Sequence, residues 1–135
     1  MSKSNTTEND ILKMILVGTD PAWRANANVF IALHTADPGE AGTQTTSEAA
    51  YTGYARVSVT KASGWTDGGS NFSNAALLQF PQCTAGSAVA THFSVGTLTS
   101  GAGQILYSGA LSASLNISSG IQPQFSAGAL VCSED

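Results

Sequence analysis

The stretch AVATHFSVG, residues 88–96, alternates with a period of two. Val89, Thr91, Phe93 and Val95 fall on one face, and Ala88, Ala90, His92 and Ser94 on the other. That spacing belongs to a half-buried β-strand and not to a helix. Directly after it, SGAG at 100–103 supplies the flexible residues a chain reversal needs, and QILYSGAL at 104–111 resumes an extended run with β-branched and aromatic content. Two strands around a Gly-rich turn make a hairpin, and the hairpin sets the fold class. It lies inside a longer tract, residues 68–133, that contains no Asp, Glu, Lys or Arg. Soluble domains keep about a quarter of their residues charged, whereas here the whole chain has 10%. A Ser/Thr/Asn/Gln surface explains this in a monomer; coverage by other subunits explains it in an assembly.

Working outward, VFIALH at 29–34 is apolar on both faces, as a central strand requires. Asp37-Pro38-Gly39 then turns the chain. Residues 40–52 are rich in Thr, Ser and Ala without a clear period and read as a long connection, a type that is often functional or partner-bound. Residues 54–60 alternate again, with Ala55, Val57 and Val59 turned one way and Tyr54, Arg56 and Ser58 forming a wet outer face. The TDGG turn after Trp65, a strand ending at Pro81, and two or three short strands over 113–117 and 121–132 complete an all-β chain. The expected architecture is an antiparallel β-sandwich or jelly roll of about 7–8 strands, with one short N-terminal helix.

The helix is expected over residues 6–17. Asn5 and Glu8 suggest a capping box, Ile11/Ile15 with Leu12/Leu16 form a stripe, and Gly18 and Asp20-Pro21 end it. A helix of this length is not stable alone, so its stripe must dock, either on an edge of its own sheet or on a neighbouring subunit. Residues 1–27 thus read as helix and arm and 28–135 as the sandwich, within a single domain of 135 residues.

Net charge is −4, and Lys3, Lys13, Arg24, Arg56 and Lys61 are scattered, which excludes a phosphate-binding stripe for nucleic acid. No apolar run approaches the roughly 18 residues of a membrane span. The N-terminus has no basic leader pattern, so the chain is expected to be made and kept in a cytoplasm. Cys83 and Cys132 show no metal-ligand spacing and read as buried thiols, pairing only if the fold brings them together. His34 with Asp37 and Glu40 offers one imidazole across a turn, the pattern of a strand-end His satisfying local hydrogen bonds. His92 reads as a surface or subunit-contact residue, and SGAG lacks the Lys-Ser/Thr of a phosphate loop. No enzyme activity, metal or cofactor is expected. Trp23, Arg24, Glu48, Tyr51, Tyr54 and Arg56, in or beside irregular segments, are the candidate interface residues, because Trp, Tyr and Arg are the types that anchor interfaces. For any one Trp or Tyr, closing the local core is the more usual role than contact with a partner, and as a group they favour assembly over catalysis.

The stretch LHTADPGEAGTQTTSEAAYTGYARV (33–57) resembles a motif of small structural proteins of tailed bacteriophages. So do SNAALLQFP (73–81), THFSVGT from Thr91 and SGAGQILYSGAL from Ser100. The resemblance covers about residues 28–131. It implies a capsid cement or decoration protein: a jelly-roll sandwich on the outside of an HK97-type head that clamps neighbouring major capsid proteins and contacts copies of itself as a dimer or trimer. Proteins of this kind are also labelled tail fibre proteins, which implies the second reading, a tail-associated or receptor-binding role. Either way the expected location is the virion. A carbohydrate-binding lectin, with Trp65 or Tyr51 as a stacking platform, is a third class.

Overall fold

The computed structural model describes residues 1–134. In chain order the elements are α1 (Asn5–Leu16), a 3-10 turn (Ala22–Ala25), β1 (Asn28–His34), β2 (Val57–Thr60), β3 (Trp65–Asp67), β4 (Asn71–Asn74), β5 (Leu78–Gln79), β6 (Ser87–Gly96), β7 (Ile105–Ser118), β8 (Gln124–Phe125) and β9 (Val131–Ser133). The strands form a four-stranded sheet in the order β2-β1-β6-β7, a three-stranded sheet β3-β4-β9 and a small pair β5-β8, all antiparallel. The architecture is the all-β sandwich with one N-terminal helix that the alternation implies.

β1 is central, as its two apolar faces require: Ile31 lies opposite Val57 on one side and Val95 on the other. The core gathers Ile31 and Leu33 from β1, Val59 from β2, Phe93 and Val95 from β6 and Ile117 from β7. Tyr51, Phe80 and Leu130 close it from the second layer and the connections.

The β6–β7 hairpin forms around the expected turn, but its register breaks between Ala90 and His92, where Thr91 is passed over on β6 and residues 111–114 on β7. The break bends both strands. It also changes which face is covered, so Val89 is exposed while Ala90 is fully buried. The strand expected over 113–117 is the far half of this bent β7 and not a separate element.

The helix also differs in detail. Ser4, not Asn5, is the N-cap: its Oγ accepts from the Thr7 N–H at 3.3 Å. Ser4 Oγ and Thr7 Oγ1 each donate to the carbonyl of Ile105 at 2.7 Å. The cap is therefore also the anchor, which is why a buried Ser wins over the exposed Asn beside it. α1 docks mainly through polar groups, with Ile11 and Met14 only partly buried, and the rest of its apolar stripe does not dock on its own sheet. Leu12, Ile15, Leu16 and the adjoining Val17 all face outward.

Candidate functional site

Four of the six candidate residues lie inside the protomer. Gly53, at φ +96°, lets the chain turn sharply before β2. Along 54–56 this inverts the expected facing: Ala55 is exposed, Tyr54 is half-buried and Arg56 is buried. The wet face expected for Tyr54 and Arg56 begins only at Ser58. Arg56 Nε and Nη2 donate to Glu48 Oε1 and Oε2 at 2.7 and 2.8 Å. Its other hydrogens go to the carbonyls of Leu98 (2.9 Å) and Gly101 (2.7 Å) and to Gln44 Oε1 (3.4 Å). The guanidinium has no hydrogen left for a partner molecule. Tyr54 Oη donates to Glu48 at 2.9 Å and accepts from the Leu33 N–H at 3.1 Å. Tyr51, 3% exposed, donates to the carbonyl of Pro81 at 2.8 Å. Burial raises both phenols, Tyr51 to about 12.

Together these groups stitch the connection between β1 and β2 and the β6–β7 turn onto the sheet. Gln44, which the sequence reading passed over, is the plug. Its Nε2 donates to the Phe30 carbonyl at 3.1 Å and its Oε1 accepts from the Leu98 N–H at 3.0 Å. It fits because Gly96 and Gly103 flank it: a Cβ on either would lie 2.1 and 2.0 Å from Gln44 atoms. His34 is equally enclosed. Its Nδ1 lies 2.8 Å from the Thr46 carbonyl and its Nε2 2.8 Å from Ser94 Oγ. A carbonyl only accepts, so Nδ1 carries the proton and Nε2 accepts from the serine. Burial holds this imidazole below its ordinary value, in the neutral form. Asp37 accepts from the Gly39 N–H in its own turn at 2.9 Å and does not approach His34 in a ligand set. Among the described residues no three His, Cys, Asp or Glu side chains are grouped to hold a metal.

Trp23 and Arg24 lie at the joint between α1 and the sheet. Trp23 Nε1 donates to Asp10 at 2.8 Å, and Lys61 Nζ lies 5.9 Å from the Trp23 ring centroid. Gln104 bonds the same carboxylate at 2.9 Å, and these contacts, Gln104 foremost, hold Asp10 below its ordinary value. Arg24 is exposed and pairs with Asp20. Of the six, it is the side chain most open to contact.

The open surface lies elsewhere. Between the four-stranded and three-stranded sheets is a cleft of about 500 Å³, walled by Val29, Trp65, Phe72, Val95, Leu106 and Tyr107. Cys132 is in its wall, with burial pushing the thiol up to about 11. Cys132 and Cys83 are both free thiols. At the rim, Tyr107 Oη donates to Glu134 at 3.1 Å, and Glu134 pairs with Lys3, which holds its carboxyl below the ordinary value. Trp65, a stacking candidate in the lectin reading, is half-buried in this wall. No period or motif announces a cleft between two sheets.

The model of the Podophage GP4 fiber I protein gp80 family matches residues 2–133. The chain belongs to this family. It is therefore a phage structural protein, as the resemblance implied, but the description attached to the gp80 family is a fibre and not a capsid cement. The gp80 match takes in α1 and the arm as well as all three sheets, so it extends over the N-terminal residues that the earlier resemblance did not reach. No curated protein matches the chain.

Proposed function

We propose that the protein is a fibre-associated structural subunit of the phage virion. The observation that carries this reading is the fibre-family match across residues 2–133. The rest of the molecule suits such a role. Arg56, Gln44 and His34 are all engaged in holding loops onto the sheet, which favours a rigid building block. The outer surface carries few charges, so it can be covered by other proteins with little cost of desolvating ions. The role assigned is structural, with no catalytic step.

The second reading is capsid decoration on the outside of the head, bound across junctions of the major capsid protein. What supports it is the resemblance of residues 33–57 and 73–81 to small structural proteins of tailed phages, which implies capsid cement. Binding across junctions would link the added protein's affinity to the assembled shell, and repetition over many sites would multiply a modest affinity. Copy number separates the two. Quantitative mass spectrometry of purified virions against the major capsid protein should give a few tens of copies or fewer for a fibre part, with antibody label at the tail. Hundreds of copies and label over the whole head would replace the fibre reading with decoration.

A further inference from the structure

Among the described residues, one convex and one concave apolar feature lie uncovered. The convex one is the C-terminal end of α1, where Leu12, Ile15, Leu16 and Val17 are 55%, 69%, 76% and 72% exposed. Between residues 11 and 17 only Lys13 is not apolar. Contiguous exposed apolar surface of this kind marks an interaction site and not an ordinary helix face. The helix cannot turn inward to hide it, because Ser4, Thr7 and Asp10 tie its other side to Ile105 and Gln104. The concave feature is the cleft of about 500 Å³ between the sheets, with apolar walls and an aromatic lining.

We infer that the apolar end of α1 in one copy inserts into the inter-sheet cleft of a second copy, giving a head-to-tail self-association. Charge supports the match. The inserted end carries the cation Lys13, while the cleft rim holds the Glu134 carboxylate, which also pairs with Lys3, and the hollow beside it is lined by Glu8 and Glu40. Area supports the form of the assembly. Burying four aliphatic side chains removes roughly 60–120 Å² each, so one contact hides about 500–1,000 Å² over both partners, below what a stable pair needs. The two surfaces differ, so every copy uses both, and copies that close into a ring hold two contacts each, whereas an open row adds one contact per copy. The inference goes beyond the fibre reading and holds equally for a decoration protein.

The test uses the full chain alone, so its failure leaves the virion reading standing. Sedimentation velocity of the parent should show association growing with concentration. Ile15→Ser with Leu16→Ser on the helix, and Ser70→Trp at the cleft, should each weaken it by about tenfold or more. All these positions are exposed, so circular dichroism and melting should match the parent. Leu16→Cys should form an intermolecular disulfide with Cys132 under copper-phenanthroline oxidation, and Cys132→Ser should abolish the link. A chain that stays monomeric at the highest concentration overturns the inference, because the cleft and helix then belong to partners from other proteins. Association that survives both surface variants overturns it too. So does a Leu16→Cys link that persists with Cys132→Ser, which would mean helix against helix.

Discussion

Arg56 and Glu48 meet edge to edge through two hydrogen bonds inside the protomer, with the Arg56 side chain only 2% exposed and that of Glu48 15%. Such a pair does not add much over a well-packed apolar pair, but leaving one member unpaired is expensive. Glu48→Ala strands a guanidinium that also fixes the carbonyls of Leu98 and Gly101. The expected loss is ~3–5 kcal/mol, read as a lower urea midpoint. Arg56→Lys should lose part of this, since an ammonium cannot bind both carboxylate oxygens in the same plane. Parent-like midpoints for both variants would mean that water screens the pair.

Gln44 and its two glycines make a second test. Neither Gly96 nor Gly103 needs a positive φ; each is needed for space against the Gln44 side chain. Gly96→Ala should therefore destabilise by about 1–3 kcal/mol. In a Gln44→Ala background the clash is gone, so the added cost of Gly96→Ala should shrink well below that. A double-mutant cycle on thermal or urea unfolding reads the difference. Strict additivity would show that the glycine serves the backbone and not the plug.

Strand alternation made the sandwich legible where one face is buried, as in 57–59, while β1 was legible from its apolar residues on both faces. Alternation failed where the chain leaves the sheet. At Tyr54 and Arg56 the alternation continues in the sequence, but the turn at Gly53 and the pull of Glu48 rotate those side chains inward. Residue type pointed to Trp, Tyr and Arg as contact residues; here the same amphipathic character lets them satisfy buried loop carbonyls, a use that residue type alone does not distinguish from interface anchoring. Ser4 and Thr7 could not be read as anchors, because their acceptor, Ile105, is far along the chain. The exposed end of α1 was legible only as a stripe in need of a surface.

His34 should give the fold a pH dependence near neutrality. The unfolded chain titrates this group at its ordinary 6.5, while burial, opposed by the Thr46 carbonyl and Glu48 and aided by Arg56 and His92, lowers it in the fold. Above pH 6.5 both states are neutral and the fold keeps its full stability. As pH falls below that, the unfolded chain takes up a proton that the folded chain refuses, so stability declines toward the lowered folded value. The melting temperature should therefore fall between pH 7 and 5. His34→Gln should start lower and lose that slope, whereas His92→Gln should keep it. A parent whose melting temperature is flat across this window would mean that the imidazole is not held neutral.

The tyrosines decide how interface experiments on this chain must be read. Tyr51, Tyr54, Phe80 and Phe125 form a continuous row, with ring centroids 5.4, 6.2 and 6.2 Å apart in sequence. Tyr54→Phe keeps the row but leaves the Leu33 N–H without its acceptor, so a loss of about 1–3 kcal/mol is expected. Replacing Tyr51 and Tyr54 together with Ala removes two rings from the core at about 3–5 kcal/mol each, against a total stability of roughly 5–15 kcal/mol. That double variant should appear mainly in the insoluble fraction, and its absence from virions would report unfolding. Arg24→Ala, at an exposed pair worth little to the fold, should melt like the parent. Loss of incorporation in Arg24→Ala would therefore place a virion contact at the joint between α1 and the sheet. A soluble, parent-like Tyr51/Tyr54 double variant would instead return those two residues to the surface.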